Sequence, residues 1–154
     1  HGIVQELDQG LFRSWKCAKP GTNVMAFRVV MWPGCCYIGG DLQDFVFERE
    51  ADMMPWLRGA IHDPHYMAEK VIAGHPMEFD VVALEQWLKE DAAEDRRNGN
   101  EKRAAEVEDV LNHDPLTLDS AYETGLFDEL PRCQKFTPGF EWAVEALKWF
   151  LQQV

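Results

Sequence analysis

The spacing of the apolar residues changes near residue 51, and this change limits the folds that are open to the chain. Before residue 51, short runs of β-branched and aromatic residues alternate with turns that contain Gly or Pro, as expected of β-strands. After it, apolar residues recur every three or four positions, which is typical of amphipathic helices. The sequence therefore predicts an α+β fold with a sheet half at residues 11–50 and a helical half at residues 51–153.

The pattern of apolar runs and turns in the sheet half predicts four short strands, at residues 11–17, 24–32, 35–38 and 44–48. Pro20-Gly21, Pro33-Gly34 and Gly39-Gly40 lie between them and supply the dihedral angles of tight turns. Connections this short join antiparallel neighbours, so we expect a small four-stranded antiparallel sheet. Eight aromatic residues of the first half of the chain, residues 1–77, are expected to pack in a core rather than stack on nucleic-acid bases: Phe12, Trp15, Phe27, Trp32, Tyr37, Phe45, Phe47 and Trp56.

The spacing of apolar residues in the helical half predicts five or six helices. Asp63 before Pro64 is a strong helix start, because the carboxylate can cap the helix and proline fits its first turn. Thr137 before Pro138 repeats this arrangement at the last helix, which runs to Leu151.

The last helix is apolar on two opposite sides. Phe140, Val144 and Leu147 form one stripe, and Trp142 and Trp149 lie opposite. We expect this helix to be sandwiched in the core, with the first stripe covering one face of the sheet.

The helix stop and start signals within residues 79–112 predict an antiparallel helical hairpin that turns at Asn98-Gly99. Alanines on both arms would allow the two helices to approach closely. The end of the hairpin, residues 90–104, is rich in charge and is expected to project into solvent rather than to enter a core.

Length and composition limit the class of protein. A chain of 154 residues predicts one domain, residues 1–154. It contains no apolar run long enough for a membrane span, and its four cysteines indicate a reducing, cytoplasmic location rather than a disulfide scaffold. A net charge of −12 argues against direct nucleic-acid partners and against anionic membrane surfaces.

The negative charge is unevenly distributed. Residues 1–77 carry nine acids and seven bases, whereas residues 78–154 carry eighteen acids and eight bases. An acidic surface of this kind fits a basic protein or nucleoprotein partner, although solubility alone could also account for it. The predicted partner-binding residues lie on the hairpin: Glu90, Asp91, Glu94, Asp95, Glu101, Glu106, Glu108 and Asp109.

No catalytic or metal-binding motif is present in the sequence. The four residues best suited to an alternative enzymatic site are Asp41, His62, His65 and Cys17, and a pocket that joined two of them would favour that alternative. His62 and His65 lie on either side of a predicted helix start, so we expect no metal site and no cofactor. A third alternative is an assembly role as a homodimer through Trp142 and Trp149.

Part of the chain resembles a known group of proteins. The residues that carry the likeness are Trp15, Cys17, Lys19-Pro20-Gly21-Thr22, Ala26-Phe27, Val29-Val30, Trp32-Pro33-Gly34, Gly40-Asp41, Phe45-Val46-Phe47 and Trp56-Leu57-Arg58-Gly59. Over residues 11–72 the chain resembles small uncharacterised proteins encoded in bacteriophage and prophage genomes. The resemblance implies a phage context and the cytoplasm of a bacterial host.

A phage context favours a protein that acts by binding a partner rather than by catalysis. Inhibitors of bacterial defence systems, including anti-CRISPR proteins, are similar in size and charge, and several occupy basic nucleic-acid channels by mimicking phosphate charge. We therefore expect a non-enzymatic protein that binds a basic host protein and inhibits a nucleic-acid-targeting defence complex.

Overall fold

The structure is a computed structural model that describes residues 1–41 and 43–154, and it has the predicted α+β class. The chain divides into two compact units, each with its own hydrophobic core. The first unit comprises residues 1–77 together with 136–154, and the second comprises residues 78–135. The predicted single domain of residues 1–154 stays a prediction.

The first unit contains a six-stranded antiparallel sheet in which neighbours along the chain are neighbours in the sheet. Its strands are β1 (Gly2–Gln9), β2 (Phe12–Ala18), β3 (Phe27–Trp32), β4 (Cys35–Gly40), β5 (Phe45–Glu48) and β6 (Val71–Ala73). The predicted meander is therefore present as β2 to β5, but the predicted number of four strands was wrong. Two further short strands, β7 (Met77–Phe79) and β8 (Gln134–Phe136), form a separate two-stranded sheet.

The two additional strands of the large sheet have weak sequence signals for different reasons. A bulge at Glu6 breaks the alternation of β1, so that its apolar residues do not follow a strand period. The strand β6 has only three residues and directly follows a helix, whose apolar spacing continues through Val71 and Ile72.

The described residues contain six helices. These are α1 (Met53–Ala60), α2 (Pro64–Glu69), α3 (Val81–Arg97), α4 (Glu101–Val110), α5 (Leu118–Tyr122) and α6 (Pro138–Gln153). None of the helices within residues 1–41 and 43–154 combines the length and the apolar character that crossing a membrane requires.

Both helix starts that were predicted from capping residues are confirmed. The Asp63 carboxylate accepts a hydrogen bond from the Tyr66 backbone N–H at 3.0 Å, and Pro64 is the first residue of α2. At the start of α6, the Thr137 hydroxyl accepts from the Phe140 N–H at 3.3 Å. Each cap satisfies an N–H that has no partner within its own helix.

The core of the first unit lies between one face of the large sheet and α6, as predicted. Phe140 of α6 is fully buried, and its ring centroid lies 5.5 Å from that of Phe45 in β5. On the opposite side of α6, Trp142 and Trp149 pack on Phe27 of β3, at centroid distances of 5.7 and 6.0 Å. Trp142 and Trp149 are only half-buried and contact the same sheet as Phe140, so the expectation that α6 is sandwiched in the core stays a prediction.

The second unit is built on the predicted hairpin, formed by α3 and α4. Its core is shared between the two helices and the segment that follows them: Leu84, Leu88, Ala92, Ala104, Val107, Val110, Leu116, Ala121, Phe127, Leu130 and Cys133. Ala92 and Ala104 are buried on facing arms, as the small-residue pattern predicted.

The expectation that residues 90–104 project into solvent was wrong for the inner side of the hairpin. Ala92 and Ala104 are fully buried there, and Asp95 is only 8% exposed. An ion pair with Arg103 compensates the charge of Asp95, so this segment can pack despite its polarity.

Because Phe140 is fully buried, we expect Phe140→Ala to lower the free energy of unfolding by about 3–5 kcal/mol through lost burial and a residual cavity. Phe12→Ala is the matched control: its ring is 52% exposed, so the loss should be about 1 kcal/mol or less. Urea denaturation followed by circular dichroism measures both. Equal losses in the two variants would contradict the described core.

Candidate functional site

The eight acids that the sequence predicts as a binding surface fall into two groups in the structure. One group forms ion pairs within the hairpin, and the other faces solvent. The members of the first group are Asp91, Asp95, Glu101, Glu106 and Glu108. The second group consists of Glu90, Glu94 and Asp109, which have no ion-pair partner among the described residues.

Arg103 on α4 holds two of the acids of α3. Its guanidinium donates to Asp91 Oδ2 at 3.0 Å and also to Asp95 Oδ2. The same group lies over the ring of Phe127, 5.8 Å from its centroid, which is favourable for a cation. Arg103 thus links the two helices and neutralises the one buried carboxylate of the described hairpin core.

Arg96 forms a second link between the helices. It bonds both carboxylate oxygens of Glu108 and lies 3.4 Å from Glu101 Oε2. The pairing with Arg96 lowers the pKa of Glu108, and the pKa of Arg96 is raised in turn. All three side chains are well exposed, so we expect a small contribution to stability.

The unpaired acids of α3 lie beside a tryptophan. Trp87, Glu90 and Glu94 line a shallow surface groove of about 430 Å³, together with Asp91, Ala93 and Arg97. The indole is half-buried and packs edge-to-face on Phe127, with centroids 5.6 Å apart. Glu90 accepts a hydrogen bond from Gln86 Nε2 at 2.7 Å, which orients its carboxylate.

This groove has the chemistry for a cationic side chain. Glu90 and Glu94 are one helical turn apart, where two like charges repel each other, and a bound cation would relieve that repulsion. Trp87 lines the same groove, and an indole is the side chain that binds a cation best over its face. Trp87 was not among the predicted site residues, because its i, i+3 spacing with Leu84 gave it the pattern of a core residue.

The four residues of the enzymatic alternative lie in separate environments. Asp41 accepts a hydrogen bond from the Met25 N–H, and Cys17 is fully buried in the core of the first unit. The His65 ring packs on Phe136, with centroids 4.6 Å apart. His62 lines a shallow depression of about 300 Å³, which none of the other three residues lines.

An enzymatic site would need a pocket that joins two of these residues or a cluster of metal-ligating side chains. Surface depressions of about 300–650 Å³ lie in the described part of the chain, and five of them are each lined by at most one of those four residues. No group of three or more His, Cys, Asp or Glu residues is arranged to hold a metal ion within residues 1–41 and 43–154.

The two tryptophans of the assembly alternative are engaged within the first unit. Both Trp142 and Trp149 are half-buried against Phe27, and the ring of His1 lies 5.8 Å from Trp149. A homodimer through these residues stays a prediction.

No protein-family model, curated protein or solved structure matches this chain. The resemblance of residues 11–72 to phage-encoded proteins stays a prediction.

We expect Arg103→Met to lower the free energy of unfolding by about 2–3 kcal/mol, because it leaves the Asp95 carboxylate buried without its cation. Lys102→Met is the matched control, since the Lys102 side chain is 94% exposed and should change stability by less than about 0.5 kcal/mol. Urea unfolding measures the difference. If the two variants were equally stable, Arg103 would not have the role assigned to it.

The thiols provide a test of nucleophilic chemistry. Burial raises the pKa of Cys17 to about 11 and that of Cys36 to about 12. Only roughly one Cys17 thiol in a thousand would therefore be ionised at pH 8, and the thiolate is the reactive form. All four cysteines are buried. We expect Ellman's reagent to label none rapidly in the native protein and all four in urea. Fast labelling of a native thiol would support the enzymatic alternative.

Proposed function

We propose that this chain is a non-enzymatic binding protein whose acidic helical hairpin engages a basic host protein. In the specific form of the proposal, the chain is related to phage proteins. Its partner belongs to a nucleic-acid-targeting defence complex of a bacterium, which it inhibits in the host cytoplasm in the manner of anti-CRISPR proteins.

The distribution of charge between the compact units supports this proposal. Residues 78–135 carry sixteen acids and seven bases, a net charge of −9, whereas the remaining residues carry eleven acids and eight bases, a net of −3. Most of the net charge thus belongs to one unit of 58 residues. A charge of this density attracts basic surfaces over a Debye length and speeds association with them.

The single observation that carries the proposal is the groove beside Trp87. Binding hot spots are commonly large aromatic side chains near charged groups, and Trp87 lies between the helix core and the unpaired acids Glu90 and Glu94. A lysine or arginine of the partner could contact the indole and both carboxylates at once. The buried acid Asp95, paired with Arg103, would keep the hairpin folded rather than contact the partner.

The choice of partner rests on the resemblance of residues 11–72 and on the charge. Proteins that handle nucleic acids carry clustered lysine and arginine in order to neutralise phosphates. Carboxylates spaced along a helix can take the place of those phosphates in such a channel. The proposed inhibitor would therefore compete with nucleic acid for its binding surface.

We expect Glu90→Lys with Glu94→Lys to abolish capture of the partner from a bacterial lysate, because the double change reverses the charge of the groove. Native and variant baits are compared by pull-down at low salt and by quantitative mass spectrometry. High salt should release the partner from the native bait, since the attraction is electrostatic.

The matched control is Glu141→Lys with Glu145→Lys, which reverses two exposed acids at the same spacing on α6. This control has the same net charge as the test variant and should retain the partner. Loss of the partner from both variants, or from neither, would overturn the assignment of the binding surface to α3.

A further inference from the structure

The strand β1 lies at an edge of the six-stranded sheet. It pairs with β2 on one side, and no strand among the described residues pairs with its other side. Seven of its eight residues are exposed, including Val4 at 63% and Leu7 at 38%. A long edge strand with exposed apolar residues is a template for pairing with another strand.

The bulge of β1 determines which residues share a face. Gln5 is opposite Trp15 and Leu7 is opposite Ser14, so Glu6 is the additional residue. As a result, Val4 and Leu7 lie on the same, outer face of the sheet although they are three positions apart. Ile3, Gln5 and Asp8 lie on the inner face, as their partners Cys17, Trp15 and Arg13 show.

This arrangement makes β1 complementary to itself in the antiparallel direction. When Glu6 stays bulged in both strands and Gln5 faces Gln5 of a second copy, Val4 of each copy faces Leu7 of the other. Gly2 then faces Gln9 and Ile3 faces Asp8. Every outer residue meets an outer residue, and every inner residue meets an inner one. The two bulged Glu6 residues lie beside the symmetry axis, where each carboxylate is paired with Arg28 of its own copy.

We propose that two copies of this chain associate through their β1 strands, forming a continuous antiparallel sheet of twelve strands. A two-fold interface requires a surface that is complementary to itself, and the pattern of β1 meets this requirement. Val4 and Leu7 of both copies would form one apolar cluster across the new strand pair, and the edge N–H and C=O groups would gain partners. This association is independent of the hairpin and of its proposed partner.

The size of the interface determines how the dimer should behave. A strand of eight residues is about 27 Å long. Its pairing buries less than the roughly 800 Å² per partner of a standard stable interface. We therefore expect a dimer that dissociates on dilution.

Sedimentation velocity over a roughly hundredfold range of concentration tests the association. The native chain should shift from 17.7 kDa toward twice that mass as its concentration rises. Val4→Lys with Leu7→Lys should remain monomeric, because it places four lysines side by side across the strand pair. Val81→Lys with Val82→Lys is the matched control, with 38% and 66% exposure on α3, and should dimerise as the native chain does.

A cysteine variant tests the register, and circular dichroism verifies that each variant is folded. Gln5→Cys should form a disulfide-linked dimer under mild oxidation, because the two residues face each other on the symmetry axis. Gln9→Cys should not, since the two residues would be about 20 Å apart along the strands. A monomeric native chain at every concentration, a dimer unaffected by Val4→Lys with Leu7→Lys, or equal cross-linking of both cysteine variants would overturn the proposal.

Discussion

The contact of Arg103 with Asp95 and Asp91 allows an acidic helical hairpin to have a packed core. A lone carboxylate at the position of Asp95 would be too costly to bury, so the two helices could not approach through Ala92 and Ala104 without a cation between them. Close contact of the two helices at Ala92 and Ala104 is therefore part of the core of the second unit. The contact lies on the inward-facing side of α3, which also carries the buried residues Leu84, Leu88 and Ala92.

Internal pairing also reduces the number of acids that are available for binding. Arg96 and Arg103 engage four of the eight predicted residues on the hairpin, and Lys102 engages a fifth, Glu106. Of the three predicted acids that stay unpaired, Glu90 and Glu94 lie beside Trp87, and Asp109 lies apart from them on α4. The proposed function accordingly depends on a short segment of one helix rather than on the total charge of the chain.

The sequence predicted the features that depend on local chemistry. Capping residues such as Asp63 and Thr137 located the helix starts, because a cap needs only its own few neighbours. The strand β1 was missed because its bulge at Glu6 breaks the period of two. The core role expected of Phe12, Trp32 and Tyr37 was wrong for a related reason. These three rings lie on the outer face of the sheet, which the pattern of one strand cannot distinguish from the inner face.

The candidate site was only partly predictable. Composition located the acidic hairpin, but the separation of paired from unpaired acids depends on which residues of α3 and α4 face each other, and no sequence period encodes that. Trp87 illustrates the same difficulty, because spacing that is suitable for a core also places its ring at the edge of a solvent-facing groove.

The most direct test of the account is to locate where a cationic ligand binds. A titration of the ¹⁵N-labelled protein with a short arginine-rich peptide, followed by two-dimensional NMR, reports on each residue separately. The account predicts that the Trp87 indole N–H and the amides of residues 86–97 shift first, and that high salt reverses the shifts. First shifts in residues 1–77, or equal shifts along both helices of the hairpin, would contradict it.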